Sequence, residues 1–189
     1  MNGALIVLAA LGGIALVVLL WGVITYNRFI SLRAHIRDAW AGVGVELQRR
    51  YDLIPNLVET VKGYAAHERE TLELVVRARN RAMENDGPVD AQARDEQELN
   101  GALDRLGVVV EAYPDLKADR QFLELQRQLT ETEDRIAAAR RFYNGNVRTL
   151  NTLVQVVPSN IIAHLFGFTA ATYFELDDPR AREAPAVRV

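Results

Sequence analysis

His35, His67 and His164 are the only imidazoles in the chain, Ser31 and Ser159 are the only serines, and cysteine is absent. A hydrolytic zinc site needs His-Glu-x-x-His, and a di-iron bundle needs paired Glu-x-x-His turns. Neither spacing occurs. His67 and Glu68 are neighbours, so on a helix they point about 100° apart rather than toward one ion. Neither serine lies in a Gly-x-Ser-x-Gly elbow. Without a thiol, disulfides, thiolate metal sites and thiol nucleophiles are excluded. Gly42-Val43-Gly44 lacks a third glycine and a preceding strand, which argues against a phosphate-cradling loop. Its glycines are expected to permit close helix–helix approach instead. The reading is therefore of a non-enzymatic chain without catalytic, cofactor or metal residues.

One polar cluster surrounds Pro55: Arg49, Arg50, Asp52, Asn56 and Glu59. Pro55 suits a first helical position, where its missing N–H is unneeded, and it biases Ile54 toward an extended conformation. Asp52 and Asn56 can then bond backbone groups freed at a reversal, while the arginines meet the last carbonyls of the preceding helix. A second reading makes the same cluster a docking surface.

These residues are positioned by helices. Residues 3–25 carry no charge and rise ~34 Å as a helix, enough to cross a ~30 Å hydrocarbon core. A cleaved signal peptide is the competing reading. The Met1-Asn2-Gly3 start has no Lys or Arg, the run is long, and no small-x-small site follows, so a retained anchor is expected. Arg28, Arg33 and Arg37 follow the run with no opposing charge upstream. That favours the N-terminus outside and the remaining chain in the cytoplasm. The opposite orientation stays open, because a short tail can translocate either way.

Downstream, Phe29, Leu32, Ile36, Trp40, Val43, Leu47, Tyr51 and Ile54 alternate at spacings of three and four, one face of a first helix. A second helix is expected over 55–84, stopped by Asn85-Asp86-Gly87-Pro88, and a third over 91–112. The fourth, 116–157, carries a heptad seam from Phe122 through Leu129, Ile136, Tyr143 and Leu150. Lengths of about 27, 29, 22 and 42 residues favour an up-and-down bundle whose reversal lies at Pro55. If Pro55 only kinks a longer helix, three helices result. The domain expectation is an anchor over 1–26, a bundle over 27–176 and a disordered tail over 177–189. The uncharged segment 158–174 is too short to span. Ile161, Ile162, Phe166, Phe168 and Phe174 could lie at the lipid interface, or the segment could pack over the bundle end.

The net charge of −3, from 22 basic and 25 acidic residues interleaved along the chain, argues against a nucleic-acid partner. Lipid around residues 3–25 is the partner that composition predicts.

The sequence resembles the LemA family of membrane-anchored bacterial proteins. The resemblance rests on Tyr26-Asn27, Ala39-Trp40, Arg49-Arg50-Tyr51-Asp52-Leu53-Ile54-Pro55-Asn56-Leu57-Val58 and Val61-Lys62-Gly63-Tyr64. His67-Glu68, Ala78-Arg79, Arg140-Arg141-Phe142-Tyr143-Asn144, Pro158-Ser159-Asn160, Phe166-Gly167-Phe168 and Phe174-Glu175 also match. It implies an all-α fold, with one transmembrane helix followed by an antiparallel up-and-down four-helix bundle. It also implies a non-enzymatic role linked to envelope stress, to membrane zinc proteases or, in magnetosome-forming bacteria, to an organelle membrane. The expected protein is a self-associating scaffold or adaptor in the bacterial cytoplasmic membrane, with a membrane protein, a protease among the options, as partner. A sensory or ligand-binding bundle and a membrane-shaping oligomer are the alternatives.

Overall fold

The computed structural model describes residues 2–176. The tail expected over 177–189 lies outside the described residues. Those described form six helices and no strand: α1 (Asn2–Tyr64), α2 (Arg69–Glu84), α3 (Val89–Val110), α4 (Pro114–Lys117), α5 (Arg120–Gln155) and α6 (Ser159–Phe166). The chain divides into two compact units, and both α1 and α5 contribute to each.

The first unit contains the chain up to Ala41 and Phe142–Ala171. Its α1 segment includes the stretch long and apolar enough to cross a membrane. Leu5, Ile6, Leu8, Leu11, Ile14, Val17 and Leu20 are all exposed. Apolar surface bare on every side of a helix is not that of a core helix and fits a membrane location. Farther along, Phe29 and Leu32 enter a cluster with Leu150, Ile162, Ala163 and Phe168. Phe29 and Phe168 stack with centroids 4.5 Å apart, and each buried ring contributes roughly 1.5–3 kcal/mol. Gly167, at φ 67°, ends α6 in the left-handed region, and the Phe168 N–H closes onto the Ala163 carbonyl at 2.9 Å. That turn aims Phe168 back at Phe29. Asn151 clamps the returning chain twice, donating to the Ala171 carbonyl at 2.9 Å and accepting from its N–H at 2.8 Å. Asn146, on the expected seam, donates to the Phe142 carbonyl of its own helix at 3.1 Å.

The second unit contains Gly42–Arg141 and, among the described residues, 172–176. Here α1 continues straight through Pro55. This corrects the expected reversal at Pro55: the chain turns ten residues later, after Gly63 and Tyr64, through residues 65–68. The alternative of only three helices also fails, because α2 and α3 still form a separate hairpin. Gly87 donates to the Asn85 side chain at 2.8 Å, the Asx turn that reverses that hairpin. At the start of α5, Asp119 accepts the Phe122 N–H at 2.9 Å and the Tyr64 hydroxyl at 3.1 Å. One carboxylate thus caps α5 and ties it to the end of α1. Arg50 meets Glu133 and Tyr64 meets Asp119, so these segments of α1 and α5 run antiparallel in register.

Gly42 and Gly44 do not serve close helix approach. Among the described residues, nothing beyond the helix's own backbone lies within 4 Å of a Cβ built at either position.

Candidate functional site

The polar cluster around Pro55 separates across α1. Arg49, Asp52, Asn56 and Glu59 lie on the exposed face with Pro55, because steps of three and four residues keep a helical side chain on one side. Their partners are local. Arg49 pairs with Glu46 at 3.1 Å, Asp52 accepts from Gln48 at 2.7 Å, and Glu59 pairs with Lys62 at 3.3 Å. The Asn56 carbonyl accepts from the Thr60 hydroxyl at 2.8 Å. None of these groups serves a turn, since no turn is there.

Arg50 points the other way and is 0% exposed. Its guanidinium donates to Glu96, equally buried, to Glu133, and to Asn100 at 2.9 Å. Glu96 also accepts from the Tyr51 hydroxyl and from Gln92 at 2.8 Å. Gln92 in turn donates to the Ala82 carbonyl at 3.0 Å. Three helices, α1, α3 and α5, therefore converge on one buried charge pair, and Gln92 draws in α2. Burying either charge alone costs several kcal/mol; together, and hydrogen-bonded, they offset most of that. The network lies in the interior of the second unit, and its donors and acceptors are directed at one another except for the Arg50 Nε–H, which is buried without a partner among the described residues.

Sequence reading missed Glu96, Gln92, Asn100 and Glu133. A signal existed: Leu106, Leu99, Glu96 and Gln92 continue one buried stripe of α3. A carboxylate at a core position of a helix needs a buried cation, and Arg50 sits at the matching depth of α1.

Arg79 explains why α1 survives Pro55. Proline cannot donate to the carbonyl four residues back, that of Tyr51, so that acceptor is orphaned. Arg79 Nε supplies the missing bond at 3.1 Å. In a double-mutant cycle, Arg79→Leu is expected to cost about 1–3 kcal/mol when Pro55 is present, the penalty of an unpaired buried carbonyl. With Pro55→Ala the restored N–H reaches Tyr51, and the cost of Arg79→Leu falls. Chemical denaturation of the four proteins checks this; equal costs in both backgrounds contradict it.

Burial pushes the Tyr51 hydroxyl up to about 12, with Arg50 opposing. A raised pKa means the fold favours the neutral phenol. Its stabilisation is complete below the unfolded value of about 10 and is lost as pH climbs through the folded value. Tyr51→Phe is accordingly expected to flatten the decline in denaturation midpoint between about pH 10 and 12. An unchanged alkaline slope counts against it.

The five residues expected at a lipid interface also divide. Ile162 and Phe168 belong to the packed cluster of the first unit, and Phe174 is 0% exposed. Protein covers Phe168 and Phe174; Ile162, though largely buried, also lines an apolar groove beside Val18 and Leu19 of α1. Ile161 and Phe166 remain exposed. Among the described residues no group of three His, Asp or Glu side chains is placed to hold a metal ion.

Comparison with known proteins adds identity to this geometry. Residues 39–189 match the LemA family model. "Magnetosome protein MamQ 2" of Paramagnetospirillum magneticum is 27% identical over 91% of this chain and 72% of its own length. "Magnetosome protein MamQ" of Magnetospirillum gryphiswaldense is 25% identical over 79% of this chain and 64% of that protein. "Protein LemA" of Metamycoplasma hominis is 22% identical, covering 80% of this chain and 69% of the relative. The matched stretch contains Arg50, Pro55, Arg79 and Glu96, the residues that carry α1 past its proline and hold α3 and α5 against it. With that match over most of its length, the chain belongs to the LemA family.

Proposed function

We propose that this protein is a single-pass membrane scaffold of the bacterial cytoplasmic membrane, self-associating and presenting a helical bundle to a membrane-protein partner in envelope maintenance or stress. In this reading α1, α2, α3 and α5 of the second unit form an up-and-down four-helix bundle. The observation that carries the proposal is the buried network of Arg50, Glu96, Tyr51 and Gln92. Apart from the Arg50 Nε–H, its polar groups serve one another, which suits a rigid adaptor better than a reaction centre. Anchoring confines the bundle to two dimensions, so weak contacts gain from a raised effective concentration. Arg28, Arg33 and Arg37 favour a cytoplasmic bundle.

The test is cross-linking in native membranes followed by capture of the full chain, beside a variant lacking residues 3–25. A homotypic or heterotypic adduct that disappears with the anchor supports scaffolding. Turnover of a substrate by purified protein, abolished by one point change, overturns it. For orientation, Asn56→Cys provides an exposed thiol in a cysteine-free chain. An impermeant reagent that labels it in intact cells contradicts a cytoplasmic bundle.

A further inference from the structure

Helix α6 packs Ile162 and Ala163 inward, in one cluster with Phe29, Leu150 and Phe168, and its buried Ser159 donates to the Leu153 and Val156 carbonyls. Its opposite side is apolar as well. Ile161 and Leu165, one turn apart on an outward row, are 59% and 72% exposed, and Val157, in the turn that precedes α6, is 71% exposed. Beyond the inward Ser159, only Asn160 and His164 of α6 are polar, so little of the helix is suited to water. The surrounding chain repeats the signal: no Asp, Glu, Lys or Arg occurs between Arg148 and Glu175, in a protein that is 25% charged.

The position of α6 identifies what covers that row. Ile162 Cδ1 lies 3.7 Å from where a Cβ would stand on Gly22, within the apolar run of α1. Leu165 and Phe166 form one wall of an open apolar groove of about 640 Å³ whose other wall is Val18, Leu19 and Val23. Val18 lies seven residues before the end of that run, ~10 Å of helix rise. A groove shared with the membrane-spanning segment at that depth is in the bilayer. The ~5–10 Å reach is that of an interfacial helix.

Interfacial helices usually carry their own Lys or Arg on the polar side, and α6 has neither. Arg33 of α1 takes that place. Its guanidinium carbon sits 4.5 Å above the Phe168 ring, and it donates to the Gly167 carbonyl at 3.4 Å.

We infer that α6 is a second membrane contact: lipid acyl chains cover its Ile161–Leu165 row and fill the groove it forms with α1. This rests on the reading of residues 3–25 as a membrane span, so the test reports on the two separately. The full chain, which has no native cysteine, is spin-labelled singly at Val17→Cys, Leu165→Cys or Phe142→Cys, all exposed positions of the first unit. It is reconstituted in vesicles of phosphatidylethanolamine and phosphatidylglycerol. Collision with oxygen, which partitions into lipid, is compared with collision with a water-soluble nickel complex.

The expected result is a Leu165 label shifted toward oxygen and away from nickel, like the Val17 label and unlike the Phe142 label. A Val17 label in lipid with a Leu165 label as open to nickel as that at Phe142 overturns the inference and leaves the span intact. A Leu165 label shielded from both reagents also overturns it, because protein rather than lipid then covers the row. A nickel-accessible Val17 label overturns the span and the inference together.

Discussion

Arg50→Met is expected to lower the unfolding free energy by about 3–5 kcal/mol, because it leaves Glu96 buried without its cation. Both side chains are 0% exposed, so water cannot take over the carboxylate. Against a total stability of about 5–15 kcal/mol for a typical protein, that loss is a large fraction. The matched double replacement, Arg50→Met with Glu96→Leu, is expected to recover most of the loss, since neither desolvated charge is then present. Arg81→Met is the contrasting control. Arg81 and Glu98 are paired at the surface with both side chains more than half exposed, and such pairs contribute about 0–1 kcal/mol. Helix content followed through chemical denaturation in detergent micelles ranks the three. A single Arg50→Met variant as stable as Arg81→Met refutes a dominant buried pair. Glu133 is 45% exposed, so losing its contact with Arg50 contributes little to the difference.

Insertion of two arginines into the apolar run is expected to remove the protein from the membrane. The thirteen Leu, Ile and Val residues of positions 3–25, at ~0.3–0.6 kcal/mol each, favour insertion by about 4–8 kcal/mol. One arginine near the centre opposes this by about 3 kcal/mol. Ile14→Arg alone is therefore expected to weaken membrane association without abolishing it. Ile14→Arg with Val17→Arg opposes insertion by about 6 kcal/mol and shifts the chain to the soluble or degraded fraction. Val45→Arg alters an exposed valine of the same helix beyond the run and is expected to change nothing. Carbonate extraction of membranes followed by immunoblotting reads all three. Retention of the double variant in the pellet contradicts a hydrophobic span.

Composition and periodicity alone determined that this chain is helical, that residues 3–25 are long and apolar enough to cross a membrane, and which row of the first helix faces inward. Phe29, Leu32, Val43, Leu47, Tyr51 and Ile54 recur at helical spacing and are buried, because a repeat of three and four residues dictates one face whatever partner covers it. Family membership was equally legible, from the run between Arg49 and Val58. The position of the first reversal was decided in three dimensions. Pro55 carries a strong local signal to start a helix, and only Arg79, on another helix, supplies the bond that lets α1 pass it. The same holds for Arg50. A charge beside a proline reads as a turn residue until Glu96, forty-six positions away, is brought against it. Local preferences are written in neighbouring residues, but satisfaction of a buried polar group depends on what the packed helices place beside it.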